Sequence, residues 1–356
     1  MTIIYILAAV LIFGVLIAVH ELGHFLAAKA CGVRVNEFSI GMGPEIWSRE
    51  TGETLYSLRA LPIGGFCAME GEEDDSDDER SLSRQSFWKQ FIIFAAGAFM
   101  NFLTGFLLLV LLFSSAEVIR VPAIAGTAPE FQTVNGAALE QGDVFWSING
   151  ERVYLYSDVD LLLGLSRGQD LDLVVLRNGE KVTLNGLQWS TFSDMNGESY
   201  QGYGIYRAAN VVEEATAGSK LKTAWLNTID YVRVVRLSLK MLVTGQASVE
   251  DVGGPVEIVH SMVEIGETSA NVREAAVSIL NFAALIAVNL AVMNLLPIPA
   301  LDGGHILFLV VDAVSMALLH KKVPAKYAAA INTAGFVVLM GLMLLITVKD
   351  VFQIFR

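Results

Sequence analysis

The opening stretch Ile3–Cys31, IIYILAAVLIFGVLIAVHELGHFLAAKAC, limits what this chain can fold into more than any other feature. Ile3 to Val19 is apolar and uncharged, close to the ~20 residues that a membrane-spanning helix needs. His20, Glu21 and His24 follow where lipid tolerates polarity least, and ionisable groups inside a span mark functional sites by default. In a helix, His20 and His24 are four residues apart and share one face, so their ring nitrogens can hold one metal ion between them. Glu21 is next to the pair and free to accept a proton from water. The pattern His-Glu-x-x-His thus offers two imidazoles for a borderline-soft cation, a carboxylate base and an open metal position. The bland alternative, satisfied polar residues at a helix end, leaves two histidines and a glutamate beside an apolar run unexplained. A cleaved leader fits poorly, because MTIIYI has no basic residue and the apolar run is longer than a leader core. The run is expected to be a retained first transmembrane helix.

Composition agrees with a membrane protein that carries a soluble part: 356 residues, 54% hydrophobic, 17% charged, mean hydropathy +0.53. Further uncharged windows at Ile92–Phe113, Ala275–Met293 and Tyr327–Val348 each suit a span, and the apolar segment Gly303–Leu319 extends the third as a broken helix. The polar region between the second and third spans is long enough for one small domain. A net charge of −13, with no basic stripe, argues against nucleic acid as a partner. Cys31 and Cys67 offer no disulfide framework and suit a reducing face. Lys29, Arg34, Arg84 and Lys89 bracket the first loop, and His320, Lys321, Lys322 and Lys326 fill the loop before the last span. Both loops are therefore expected in the cytoplasm, with the termini and the central region outside, although Lys349 and Arg356 pull the other way. The acidic run Glu72–Glu79 reads as a solvated loop.

Along the chain, Phe38–Phe66 is punctuated by Gly41, Gly43, Gly52, Gly64 and Gly65 around the β-prone runs Glu45–Ser48 and Thr54–Leu61. It reads as a hairpin or small sheet, either an ordinary cytosolic one or one at membrane depth whose free edge holds an extended peptide. Gly97, Asn101 and Gly105 in the second span read as helix packing. Between Val121 and Val212 the spacing predicts a strand at Val144–Ile148, a turn at Asn149-Gly150, a helix over Ser157–Leu165, a strand at Leu171–Arg177 and a turn at Asn178-Gly179. Through AALEQGDVFWSINGERV this region resembles a PDZ domain of the permuted type attached to bacterial proteases. The preceding TAPEFQTVNG lacks a clear carboxylate-binding loop, so both a peptide receptor and a steric filter stay open. Ser219–Val243 has amphipathic spacing, suited to a helix on the membrane surface or packed on the central domain.

The third span runs into NLLPIPALDGGH, Asn294–His305, where Pro297 and Pro299 must open the helix. Asp302 follows at a depth where a bare carboxylate needs a cation, and no Lys or Arg is near it in sequence. The economical partner is the metal held by His20 and His24. His305 and Asp312 read as hydrogen-bonding groups of the helix bundle, and His260 and His320 as interfacial or solvent-exposed.

HELGH in the first span together with NLLPIPALDGG in a late span resembles the site-2 proteases, intramembrane zinc metalloproteases. The PDZ-like region between spans resembles the bacterial branch that cleaves anti-sigma factors and remnant signal peptides. The resemblance implies Zn2+ on His20, His24 and Asp302, with Glu21 as catalytic base and Asn294 as a substrate contact. It implies a membrane re-entrant β-structure with Gly41, Gly43 and Leu58 near substrate, and a substrate-handling segment at Gly254 and Pro255. The expected fold is a polytopic α-helical membrane protein with about four transmembrane helices, the re-entrant β-structure and an inserted, mainly-β PDZ-like domain. The expected division is 1–116, 117–215, 216–274 and 275–356: first membrane part, PDZ-like domain, juxtamembrane segment and second membrane part. The expected partners are single-span membrane proteins, a peptide on the PDZ-like domain and lipid, in the bacterial inner membrane. A non-proteolytic scaffold or receptor would instead need no stoichiometric zinc, and a metal transporter would want more carboxylates along a path.

Overall fold

The computed structural model describes residues 2–72, 76–131, 138–193, 198–248, 253–321 and 324–354. Part of the acidic run (73–75), half of TAPEFQTVNG (132–136), the first alanine of AALEQGDVFWSINGERV (Ala137), Lys322, the Lys326 side chain and Arg356 lie outside the described residues. The chain forms two compact units, Met1–Leu109 with Tyr231–Arg356, and Val110–Asp230.

The first unit begins with α1 (Thr2–Cys31), which continues the apolar run without a break through both histidines. Strands β1 (Val35–Thr51) and β2 (Thr54–Met69) follow and extend well past the predicted runs. They are long because they fold over one another. Residues 45–51 pair with 54–59, while 37–40 pair both with 55–58 and with 65–68. The sheet order is therefore 45–51, 54–58, 35–40, 65–69, with residues 65–69 on one outer edge. The fold-back turns at Gly41, whose φ of +87° suits glycine and whose missing Cβ would meet the Leu61 carbonyl at 2.6 Å. Val35, Cys67 and Met69 of this sheet bury against Ala28 of α1 and Ile93 and Phe94 of α2 (Phe87–Ser114). That packing seats the outer strand beside the histidine end of α1.

The second unit carries β3 (Val118–Arg120), β4 (Ile124–Thr127), β5 (Val144–Ile148), β6 (Glu151–Arg152), α3 (Tyr156–Leu165), β7 (Leu171–Arg177) and β8 (Glu180–Leu187). It ends with β9 (Ser190–Ser193), β10 (Ser199–Gly202), β11 (Ile205–Arg207) and β12 (Val212–Glu214). The central sheet runs β6-β5-β7-β8, and β4, β9 and β3 each pair with one later strand. Asn149 and Gly150 have φ of 48° and 79°, and Asn178 and Gly179 have 52° and 85°, as the predicted two-residue hairpin turns require. Leu171, Leu173 and Val175 alternate into a core shared with Phe145, Ile148, Val159 and Leu162. Arg177 clamps both Asp143 oxygens at 2.8 Å and also reaches Glu140 and the Ala138 carbonyl, which ties down the turn before β5.

Helix α4 (Ala217–Val243) is followed by α5 (Pro255–Thr268), α6 (Val272–Asn294), α7 (Asp302–Leu319) and α8 (Ala325–Ile354). Within the first unit, Tyr231 donates to Asn281 of α6 at 2.7 Å. The start of α5 is held by the buried Asp350 of α8, which accepts from the Gly254 and Glu257 amides at 2.9 and 3.2 Å. Met262 of α5 packs with Ala9 and Leu16 of α1 and with Ile286 and Ala287 of α6.

Among the described residues, five helices are long and apolar enough to cross a membrane: α1, α2, α6, α7 and most of α8. The expected count of about four takes Gly303–Leu319 as a broken extension of the third span. Here α6 stands as a full-length helix and α7 starts anew, because residues 295–301 leave helical geometry at Pro297 and Pro299 and Ala300 turns at φ 70°. The close approach of Gly303 and Gly304 to the carbonyls of Leu295, Leu296 and Ile298 folds the break back on α7. Gly335 of α8 packs on Pro299, and Asn332 accepts from the Ala300 amide at 3.4 Å.

Candidate metal centre

Three ligand-type atoms from two helices converge. His20 Nε2 and His24 Nε2 of α1 are 3.2 Å apart, and Asp302 Oδ2 at the start of α7 is 3.3 Å from the first and 3.4 Å from the second. The i, i+4 spacing sets the two rings at right angles on one helix face, with centroids 4.8 Å apart. The carboxylate arrives because the proline-broken segment ends where α7 begins.

His24 Nδ1 lies 2.8 Å from the Ile93 carbonyl of α2, an acceptor only, so Nδ1 carries the proton and Nε2 presents a bare lone pair. Asp302 Oδ2 is buried and has no hydrogen-bond partner. Electron-pair donors facing each other this closely repel unless a cation lies among them. A tetrahedral zinc site with bonds of about 2.0–2.1 Å has ligand-to-ligand edges of roughly 3.3–3.4 Å, which matches this triangle. The donor set, two imidazoles and one carboxylate, also suits zinc and leaves a fourth position free. The three side chains are the one group of such residues, among those described, whose ligand atoms lie within 4.8 Å of one another.

Glu21 borders the triad on the side of β2. Its Cγ lies 3.4 Å from where a Cβ on Gly65 would stand. A cavity of about 920 Å³ opens there, lined by the triad, Glu21, Phe94, His305, the outer strand 66–69 and the acidic residues Glu70, Glu72 and Asp77. A smaller cavity of about 280 Å³ lies on the other side, between Glu21, Asn101, Leu290, Asn294 and Leu301. His305 stacks on Phe94 with ring centroids 5.0 Å apart.

The structure thus brings His20, Glu21, His24 and Asp302 together, with Asn294 at 3.4 Å from the His20 ring. The other residues of the family-based reading sit elsewhere. Gly41, Gly43 and Leu58 lie in the fold-back of the sheet, and Gly254 and Pro255 at the start of α5; none of them lines either cavity. Two contributors are not assigned to the site by the sequence. Residues 66–69 form the strand nearest the triad. Gly97, read as a packing residue, faces both imidazoles: a Cβ there would stand 2.7 Å from His20 Cε1 and overlap His24 Nε2. Gly105 does what the spacing predicted, meeting Val288 and Ala284 of α6.

The profile described as Peptidase family M50 matches residues 8–342. A Clostridium perfringens protein named as a zinc metalloprotease is 38% identical over 353 residues, covering 98% of each chain. A Fusobacterium nucleatum protein named likewise is 33% identical over 363 residues, covering 98% of this chain and 99% of its own. The Regulator of sigma-W protease RasP of Bacillus subtilis is 27% identical over 431 residues, covering 98% of this chain and 99% of its own. Match and site agree, and the chain belongs to peptidase family M50, the integral-membrane zinc metalloproteases of site-2 type.

Proposed function

We propose that this protein hydrolyses peptide bonds within the transmembrane segments of single-span membrane proteins, at a zinc ion held by His20, His24 and Asp302. The observation that carries the reading is the triangle of two Nε2 atoms and one Oδ2, with sides of 3.2–3.4 Å, beside the Glu21 carboxylate. Zinc bound there supplies a Lewis acid for the scissile carbonyl and acidifies the attacking water. Glu21 accepts the proton from that water, holds it on its carboxylate and returns it to the leaving amine. The Ile93 carbonyl fixes the His24 tautomer, so its lone pair stays directed at the metal.

A helical substrate hides its carbonyls in its own hydrogen bonds, so it must unwind before attack. The outer strand 65–69 supports a binding mode for the unwound segment: it lines the larger cavity, and among the described residues no strand pairs on its other side. An extended peptide added along that edge passes the triad. In this reading Asn294 contacts the substrate backbone next to His20, and Gly41, Gly43, Leu58, Gly254 and Pro255 guide it farther from the metal. The exposed Ile46, Trp47 and Leu61 favour a sheet that dips into lipid over one in water. Residues 1–116 and 275–356 form the membrane core, 216–274 a juxtamembrane segment, and 117–215 a PDZ-like domain on the extracytoplasmic face of the bacterial inner membrane. That domain filters substrates by size or receives a peptide end. The name of the Bacillus subtilis relative, a regulator of sigma-W, favours a regulatory proteolysis; the family resemblance of the two motifs adds anti-sigma factors or remnant signal peptides as its substrates.

The test is incubation of the purified full chain with single-span substrates, with and without a zinc chelator, and product mapping by mass spectrometry. Chelator-sensitive cuts inside the span are expected. Cuts confined to soluble tails, or none with zinc bound, would overturn the proposal.

A further inference from the structure

Asn101 lies on α2 four residues after Gly97, on the stripe that also presents the Ile93 carbonyl. It is 1% exposed, and its amide nitrogen is 3.3 Å from Nδ1 of His20. Its Oδ1 is buried without a hydrogen-bond partner. This orientation conflicts with the metal reading. A histidine that turns its Nε2 lone pair to a cation carries its proton on Nδ1, and a proton there needs an acceptor, not the amide NH2. Rotating the Asn101 amide by a half turn exchanges its oxygen and nitrogen, which have nearly the same shape. Nδ1–H of His20 then donates to Oδ1, and the orphaned oxygen gains its partner. Asn294 does not serve equally well: its amide nitrogen is 3.4 Å from Nδ1 and 3.5 Å from Nε2, so it is in line with neither lone pair.

We infer that Asn101 is a positioning residue of the metal centre, accepting the Nδ1 proton of His20 as the Ile93 carbonyl accepts that of His24. One stripe of α2 thereby fixes both imidazoles: Ile93 and Asn101 accept, and Gly97 between them leaves room for the rings. The inference rests on the ligand set proposed above, and it deepens the role of a residue whose spacing alone read as helix packing.

The test is zinc affinity of the full-length protein, measured by chelator competition. Asn101→Leu keeps the volume and removes the acceptor; its zinc affinity should fall about 10–100-fold. Asn101→Asp keeps an acceptor but cannot donate, and should hold zinc within a few-fold of wild type. Asn101→Ser gives the same loss as leucine should the leucine variant fail to fold, and the unfolding midpoint of each metal-free variant separates lost ligation from lost packing. Asn294→Leu should leave zinc affinity unchanged. Wild-type affinity in both the leucine and serine variants, or an equal loss in the aspartate variant, would overturn the role of Asn101. His24→Ala is the control for the ligand set: zinc retained there would overturn the set and this inference with it, whereas zinc lost there but retained in Asn101→Leu overturns the Asn101 role alone.

Discussion

Two aspartates, one in each compact unit, show how differently the same side chain is used: Asp143 is fully buried, and Asp302 is partly buried with its Oδ2 out of reach of water. Asp143 in the β-rich unit is 1% exposed and is fully met from within the chain, with Arg177 across both oxygens and the Glu140 amide at 2.9 Å. Asp302 faces two imidazoles, and its Oδ2 has no hydrogen-bond partner at all. A buried carboxylate needs compensation. Asp143 carries its cation in the sequence, whereas the cation for Asp302 has to be bound. The first arrangement stabilises a fold, and the second makes a site.

Neutralising each aspartate breaks the comparison most sharply. Asp302→Asn should reduce bound zinc from one per chain to near none and abolish cleavage, while Asp143→Asn should leave zinc stoichiometry unchanged; elemental analysis reads both. Glu21→Gln should lower the cleavage rate by about 10²–10⁴-fold with zinc retained, since only the base is lost. A variant that still cleaves at the wild-type rate would remove Glu21 from its role. Next comes the pair of α2 glycines. Gly97→Ala pushes a methyl into both imidazoles and should cost zinc, whereas Gly105→Ala meets Val288 and should cost about 1–3 kcal/mol of stability with zinc kept. Equal zinc affinity in the two would contradict the assignment of Gly97 to the site.

The smaller effects belong to Asp143. Arg177→Leu leaves its carboxylate buried without its cation and should destabilise the β-rich unit by about 2–4 kcal/mol, discounted for the partial exposure of the arginine. Hydrogen exchange at the β5 and β7 amides of the full chain measures this. Burial pushes the Asp143 carboxyl up, but the Arg177 guanidinium and the Glu140 amide outweigh it and hold the group below the ordinary carboxylate range. Its stabilising contribution is therefore complete above the unfolded value of about 3.9 and is lost as pH falls through the lower, folded value. The acid limb of the unit's protection should flatten in Arg177→Leu, and an unchanged limb would assign that pH dependence to other groups.

The same contrast explains what could be read from sequence. The β-rich unit was legible in its hairpins because Asn149-Gly150 and Asn178-Gly179 specify their turns locally, and β5 and β7 fall at their predicted bounds. The histidine pair was legible because the i, i+4 relation is also local. Asp302 could be joined to it only by asking what a carboxylate in lipid must pair with. Gly97 and Asn101 were not legible as parts of the site, since glycine and asparagine at four-residue spacing look the same whether they face a helix or an imidazole. The strand at 66–69 is not legible because its pairing with 35–40 joins residues some thirty apart, and it lies beyond the punctuating pair Gly64-Gly65. The break after α6 was expected, but its separation of two full-length helices depends on glycine contacts at Gly303 and Gly304 that composition does not reveal.

Whether His20, His24 and Asp302 share one ion is read by X-ray absorption at the zinc edge of the purified full-length protein. One zinc per chain is expected, with only nitrogen and oxygen neighbours at about 2.0–2.1 Å, the outer-shell scattering of two imidazoles, and loss of the signal in Asp302→Asn. Zinc bound through sulfur, or an unaltered spectrum in Asp302→Asn, would contradict it.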